Sequence, residues 1–300
     1  MQELSVIILT YNEEIHIRRC LENVKKLTSK IYIVDSFSND NTVKIAEELG
    51  AEVYQNKWEN NFAKQLNWGI DNLPINTPWV LRIDADEYLT PELIQEIQTK
   101  LPTIGDDVSG ITILLRRVFL GRHIKKGGTG KIPMLRIFRH GKAHCEMRWM
   151  DEHMQVTDGR IIDFDNEFAD HNLNNIIWWT NKHNGYAIRE AIDLLDLEYD
   201  FFGKNNDPNH QYHGDAKAKR DRKISYAQKP LFFRSFAYFI YRYIFKLGFT
   251  DGKEGFLWHF LQGWWYRTLV DTIIYEVKKN CGDNPEEIRL YFHKVHNIKF

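Results

Sequence analysis

The chain has 300 residues, 43% of them apolar, and a formal net charge of -1. That length and apolar content support one large domain or a core domain with an appendage, and the balanced charge argues against a protein that binds nucleic acid through its overall field. Three cysteines, Cys20, Cys145 and Cys281, have no CxxC spacing and leave one over, which argues against a disulfide framework and suits a reducing compartment.

In chain order, residues 4–10 (LSVIILT) form a continuous apolar run of strand type, and residues 12–27 follow with Ile15, Cys20, Leu21 and Val24 at helical spacing. Residues 30–35 (KIYIVD) predict a second strand, 41–49 a second helix closed by Gly50, and 51–55 a third strand. A third helix over 61–73 leads to a fourth strand at 79–83, and Thr90-Pro91-Glu92 has the form of an N-cap with proline at the first helical position. Apolar strands alternating with amphipathic helices imply an α/β fold with a mostly parallel sheet flanked by helices. In such sheets ligands bind beyond the carboxyl ends of the strands.

Three polar segments fall at that edge. They are Tyr11-Asn12-Glu13-Glu14 after the first strand, residues 35–42 (DSFSNDNT) after the second, and Asp84-Ala85-Asp86-Glu87 after the fourth. Taken singly, the first two read equally well as a favourable helix N-terminus and a helix cap. The third places three carboxylates within four positions, and their mutual repulsion calls for a cation, a buried arginine or water. Hard oxygen ligands at a strand end suit Mg²⁺ or Mn²⁺ bound together with substrate phosphates. No GxGxxG follows the first strand, and residues 127–131 (GGTGK) lack the GxxxxGK[ST] frame, so a dinucleotide fold and a P-loop kinase are both disfavoured.

On SVIILTYNEE, DSFSNDNT and DADE, a signature spread over roughly residues 3–100, the chain resembles the non-processive family 2 glycosyltransferases of the GT-A fold, of the bacterial lipopolysaccharide or capsule type. The resemblance implies a nucleotide-diphosphate sugar donor and a divalent metal, Mg²⁺ or Mn²⁺. It also implies that Thr10, Tyr11 and Glu13 line the nucleoside pocket, that Asp35 hydrogen-bonds the base, that Asp84 lies near the ribose and that Asp86 ligates the metal. Lys64 stands where relatives often place a basic donor contact. Asp151-Glu152 resembles the family's acidic acceptor motif, with Glu152 as the base. The bland alternative for that pair is a surface turn salt-bridged to Arg148. His171 resembles the late histidine that completes the metal site in many GT-A enzymes, and Trp178, Trp179 and His183 either stack an acceptor sugar or belong to a core.

From about residue 217 the composition changes. Nine basic residues and one acid, Asp221, lie between Lys217 and Lys246, and 16 of the residues 226–270 are aromatic. Arg234, Tyr238, Arg242 and Lys246 recur every fourth position, which predicts a basic aromatic helix over 234–246 with its cations at anionic lipid headgroups. A polar turn at 251–255 and a second aromatic helix through Trp258, Trp264 and Trp265 follow. Residues 262–267 (QGWWYR) reverse the order of the QxxRW motif of processive synthases, and no segment is apolar enough to span a bilayer.

These readings predict a catalytic domain over 1–215, with 1–100 as the donor half and 101–215 as the acceptor half, and a helical C-terminal region over 216–300. The expected activity is inverting, metal-dependent transfer of one sugar to a saccharide or lipid-linked saccharide in cell-surface polysaccharide synthesis. No signal segment is read at the N-terminus, so the expected location is the cytoplasm, with peripheral contact to the membrane's inner face. A nucleotidyltransferase and a noncatalytic nucleotide-sugar-binding or scaffold protein are the alternatives.

Overall fold

The computed structural model describes residues 4–147, 153–202, 221 and 223–300. Two compact units divide the chain: residues 1–125 with 129–174, and residues 126–128 with 175–300. The boundary expected near 215 lies outside the described residues.

The first unit is built on a mixed sheet. Its elements are β1 (Leu4–Thr10), α1 (Glu14–Val24), β2 (Ile31–Asp35), α2 (Thr42–Glu48), β3 (Glu52–Gln55), α3 (Phe62–Asn72), β4 (Trp79–Asp84), β5 (Glu87–Leu89) and α4 (Pro91–Lys100). They continue with β6 (Val108–Phe119), β7 (Arg122–His123), β8 (Ile132–Arg139), β9 (Ala143–Cys145), β10 (Met154–Val156) and β11 (Arg160–Asp170). The strand order is β3-β2-β1-β4-β8-β6-β11-β5, with β7 on β6 and with β9 and β10 forming a separate hairpin. The first four strands are mutually parallel, β8 runs antiparallel to both β4 and β6, and β11 is parallel to β6. This is the expected α/β architecture.

Alternation along β1 explains why both faces are covered. Val6 and Ile8 join the core that holds Ile17, Leu21, Ile33 and Leu81, while Ile7 joins Val34, Leu66 and Ile70 in a second core. With apolar side chains required on both faces, the central strands read as unbroken apolar runs. Gly50 ends α2 at φ +76°, and Thr90 caps α4 by accepting the Leu93 N–H at 3.3 Å. One element departs from expectation. The residues after Asp86 first form β5, which pairs antiparallel with the end of β11 through Phe168↔Leu89 and Asp170↔Glu87.

The second unit is helical: α5 (Ile176–Tyr199), α6 (Phe233–Ile240), a π-helical turn (Tyr241–Phe245), a short turn (Gly248–Asp251), α7 (Gly252–Trp258), a second π-helical turn (His259–Trp265), α8 (Tyr266–Cys281) and α9 (Pro285–His296). Asn175 caps α5 through the Trp178 N–H at 3.0 Å, and Asn284 caps α9. Among the described residues no helix is long and apolar enough to cross a membrane. The helix expected over 234–246 passes into a π-helical turn at Tyr241, and of its cations Lys246 is exposed while Arg234 and Arg242 are not. Arg234 is buried against Asp271 at 2.6 Å, and buried Arg242 donates to the Gly127 carbonyl at 2.8 Å and to Gln262. Burying a guanidinium is tolerable only where such acceptors wait for it; this pairing turns the predicted orientation inside out.

The glycine-rich stretch serves the same packing. At Gly127, with φ +71°, an added Cβ would lie 2.0 Å from His259 Cε1, and its N–H donates to the Lys246 carbonyl. His259 is fully buried, and burial with the nearby Arg242 charge pushes its imidazole down from 6.5 to about 4. A histidine held neutral by the fold contributes its full stability above pH 6.5, and that contribution is lost as pH falls from 6.5 towards 4. The loss amounts to about 3 kcal/mol. Denaturant titrations across that window are expected to show the steep fall in the native chain and a shallower slope in His259→Leu, whose constant offset does not affect the comparison.

Candidate functional site

The site lies in the first unit, at the carboxyl edge of β1, β2 and β4. The loop after β1 is laced to the loop after β2. Asn12 N–H donates to Ser38 Oγ at 2.9 Å, Asn39 N–H to Asn12 Oδ1 at 2.9 Å, Glu13 N–H to Thr42 Oγ1 at 2.7 Å and Glu14 N–H to Asp40 at 3.1 Å. Asp35 anchors the arrangement from within. Its buried carboxylate accepts from Thr10 Oγ1 at 2.8 Å, Ser38 N–H at 2.8 Å, Ser38 Oγ at 2.5 Å and Gln55 at 3.5 Å. The large apolar side chains these two loops leave exposed are Tyr11 and Phe37. Phe37 is held out by a left-handed backbone, φ +60°.

Glu13 does not open outward. It takes the Nδ1 proton of buried His16 at 2.5 Å, while the Leu173 N–H donates to Nε2 at 2.9 Å. A backbone N–H can only donate, so Nε2 is the acceptor and the ring proton sits on Nδ1. Lys64 stands in the first turn of α3, exposed, with Nζ on Glu59 at 2.8 Å. Its neighbour Gln65 reaches Ser36 at 3.0 Å, so Lys64 is at the rim.

The acidic turn forms the other wall. Asp84 accepts two bonds from Arg82 at 3.1 Å, with Arg136 3.8 Å away. Glu87 folds back to accept the Asp84 N–H at 2.8 Å, and its other oxygen meets Arg136 at 2.7 Å. Burial pushes the Glu87 carboxyl up, and Arg136 opposes that shift. Asp170, brought opposite Glu87 by the β5–β11 pairing, is likewise raised by burial and restrained by Arg117. Cys20 packs beneath with its thiol raised by burial and by Glu87, Asp86 and Asp84, which makes it an unreactive structural cysteine.

Asp86 and His171 meet through their backbones: the His171 N–H donates to the Asp86 carbonyl at 3.1 Å. Arg19 clamps the two, donating to the Asp86 carbonyl at 2.9 Å and the His171 carbonyl at 2.6 Å and lying over the Tyr88 ring at 5.2 Å. Its other amino group faces His171 Nδ1 at 3.3 Å. Burial first, then Arg19 and His16, lower the affinity of His171 for a proton. The neutral ring with a donor at Nδ1 therefore carries its hydrogen on Nε2. Asn172 binds one Asp86 carboxylate oxygen at 2.9 Å.

The structure thus brings Thr10, Tyr11, Glu13, Asp35, Asp84, Asp86 and His171 to one edge, with Lys64 at its margin. Asp151 and Glu152 lie outside the described residues. Trp178, Trp179 and His183 belong to the second unit, where Trp179 stacks on His183 at 3.5 Å and packs near Trp258 and Trp265. Sequence reasoning passed over Arg19, Arg82, Arg136, Asp170 and Asn172. Arg82 and Arg136 carried a signal, since each interrupts an otherwise apolar strand, VLRI and MLRIF.

Residues 5–142 match the model of the family described as glycosyl transferase family 2, a span that contains the loops after β1, β2 and β4. An uncharacterized glycosyltransferase of Rickettsia felis is 41% identical over 98 residues, covering 33% of this chain and 34% of its own. The glycosyltransferase SunS of the Bacillus subtilis SPbeta prophage is 34% identical over 87 residues, covering 28% of this chain and 20% of its own. The chain spans about a third of the length of the Rickettsia relatives it matches. Among solved structures, glucosyl-3-phosphoglycerate synthase of Mycobacterium tuberculosis, crystallised with Mn²⁺, UDP and glucosyl-3-phosphoglycerate, is 20% identical over 38% of this chain and 44% of its own, with a TM-score of 0.33. Residues 5–142 are thus similar to glycosyl transferase family 2, and the curated relatives named above are glycosyltransferases.

Removing one partner of a buried ion pair strands the other charge, at a cost of about 3–5 kcal/mol. Arg136→Met is expected to destabilise the first unit by that amount in urea unfolding. Adding Glu87→Leu to it should restore most of the loss, because the pair is then replaced rather than broken.

Proposed function

We propose that the chain moves a single sugar from a nucleotide-diphosphate sugar to a saccharide or lipid-linked saccharide acceptor, with inversion and with a divalent cation, in the synthesis of a cell-surface polysaccharide of lipopolysaccharide or capsule type. An acceptor carried on lipid places the reaction at the cytoplasmic face of the membrane. The observation that carries the reading is the convergence of the loops after β1, β2 and β4, inside the span that matches the family, with residues 170–172, beyond that span, at one sheet edge.

A cation fits Asp86. Asn172 occupies one of its carboxylate oxygens, and among the described residues the other is open to a ligand. Among the described residues, no group of three or more acidic, histidine or cysteine side chains is assembled there to hold a metal by itself. One carboxylate plus diphosphate oxygens and water is a usual environment for Mg²⁺ or Mn²⁺, so the cation is expected to arrive with the donor. When bound it would neutralise charge on the departing diphosphate. His171 stands beside this position with an Nε2–H, a donor suited to a phosphate oxygen, and becomes a ligand only if that proton is lost.

The chain's own residues do the rest. Arg19 and the Asn172 amide fix the Asp86 side chain and backbone relative to His171. Arg82 and Arg136 hold the Asp84 carboxylate oriented towards the ribose position. Exposed Tyr11 and Phe37 offer ring faces to the nucleoside, above the turn that Asp35 braces. Glu152, with Asp151, takes the proton of the acceptor hydroxyl as its oxygen attacks the anomeric carbon; the nucleoside diphosphate leaves from the opposite side, and the single displacement inverts the centre.

A panel of nucleotide sugars with Mn²⁺ is expected to raise the melting temperature for the true donor alone, since a ligand that binds only the native state stabilises it. In Asp86→Asn the Mn²⁺-dependent part of that shift should vanish and turnover should fall by about 10²-fold or more. Glu152→Gln should keep the shift and lose the turnover. Release of pyrophosphate instead of a nucleoside diphosphate would assign a nucleotidyltransferase.

A further inference from the structure

The second unit carries an inversion that sugar transfer does not explain. On α6 and the π-helical turn after it, Phe233, Phe236, Ala237, Ile240, Tyr241 and Ile244 follow one helical stripe. That stripe faces outward, with Phe233 67% exposed, and Phe245 next to it is 72% exposed. The opposite stripe, buried, holds Arg234, Ser235 and Arg242. In a surface helix of a water-soluble core the arrangement is the reverse.

Both ends of the stripe are held in place by the backbone. Phe232 and Leu247 adopt φ +65° and +58°, a region in which bulky side chains are rare and costly. The Phe232 N–H is fixed by the Asp271 carboxylate at 2.7 Å, the same carboxylate that neutralises Arg234. Leu247, Phe249, Phe256 and Leu257 extend the exposed apolar surface through the following turn and α7. Exposed charge is of one sign: over residues 229–257 the exposed charged side chains are Lys229, Lys246 and Lys253, exposed Lys126 joins them in this unit, Glu254 is half-buried and Asp251 is buried. Contiguous apolar patches of this kind mark interaction sites.

We propose that this apolar stripe seats in the interfacial layer of an anionic lipid surface, with Phe233, Phe236, Ile244 and Phe245 among the acyl chains and Lys229, Lys246 and Lys253 at the headgroups. The aromatic content suits the interface, and the lysine surplus complements the charge of anionic lipid. A helix that sets an apolar stripe beside cationic side chains lies in the plane of the interface. This surface is independent of the donor site, so each reading stands or falls by its own measurement.

The test is co-sedimentation of the full chain with vesicles of phosphatidylcholine alone and of phosphatidylcholine mixed with phosphatidylglycerol. Stronger binding to the anionic vesicles, weakened by salt, is expected. Phe233→Ser combined with Phe245→Ser should lower the partition coefficient at least about tenfold on both vesicles, and Lys246→Glu with Lys253→Glu should remove the preference for the anionic ones. All four side chains are exposed, and an unchanged melting curve confirms that the variants fold. Equal binding by the phenylalanine variant and the native chain would overturn the proposal, as would no binding at all. It would also be overturned by a native dimer, seen by light scattering without lipid, that the phenylalanine substitutions convert to monomer. Donor-induced stabilisation is expected to be unchanged in every variant.

Discussion

The site depends on how the chain leaves β4. Two residues after Asp84 it enters β5, which pairs with the last three residues of β11 rather than continuing along β4. That pairing sets Glu87 opposite Asp170 and draws His171 and Asn172 onto Asp86. Glu87 makes the turn permanent: one oxygen closes it on the Asp84 N–H and the other is joined to Arg136 in the interior. Four carboxylates gathered so closely would repel one another. Arg82, Arg117 and Arg136 lie among them, and Arg19 binds the adjoining backbone, so that the repulsion is balanced before any ligand arrives.

This balance has a chemical consequence. Asp84, Glu87 and Asp170 are each matched to an arginine, whereas among the described residues the Asp86 side chain is hydrogen-bonded by the neutral amide of Asn172. Under the proposed function, Asp86 is the acid whose charge would be left to an incoming cation. A single carboxylate would then suffice, because a diphosphate would supply the remaining oxygens, and among the described residues no group of three or more acidic, histidine or cysteine side chains is assembled to hold a metal.

Much of the first unit was legible because its constraints are local. Unbroken apolar strands, the Thr90-Pro91 cap and Gly50 mark their own elements, and the polar edge follows from their parallel alternation. What the sequence hid is nonlocal. Nothing in Glu-Tyr-Leu announces β5, since three residues carry too little periodicity and the strand exists only because β11 is there to pair with it. The Arg19 clamp joins residues separated by 152 positions, and His16 reads as a helix residue until Leu173 is seen on its Nε2. Aspartate 35 shows the opposite difficulty. Its position was plain, but its saturation by four internal donors shifts the exposed chemistry of that loop to Tyr11 and Phe37.

In the second unit, of the four residues read as one helical face, Arg234 and Arg242 are buried while Lys246 is exposed at the end of the π-helical turn, and the direction of the face is the reverse of that expected. Amphipathicity fixes which residues share a face; it does not say which face is inside. Two interior partners decide that here. Asp271 on α8 and the backbone carbonyl of Gly127 offer acceptors that water would otherwise supply, and Arg267 lies between the Tyr226 and Tyr238 rings at 5.1 and 4.5 Å. Each guanidinium so bound removes a polar group from the surface and leaves an aromatic or aliphatic side chain in its place. A polar interior of this kind therefore generates its apolar exterior, and the two properties of the helix have a single cause.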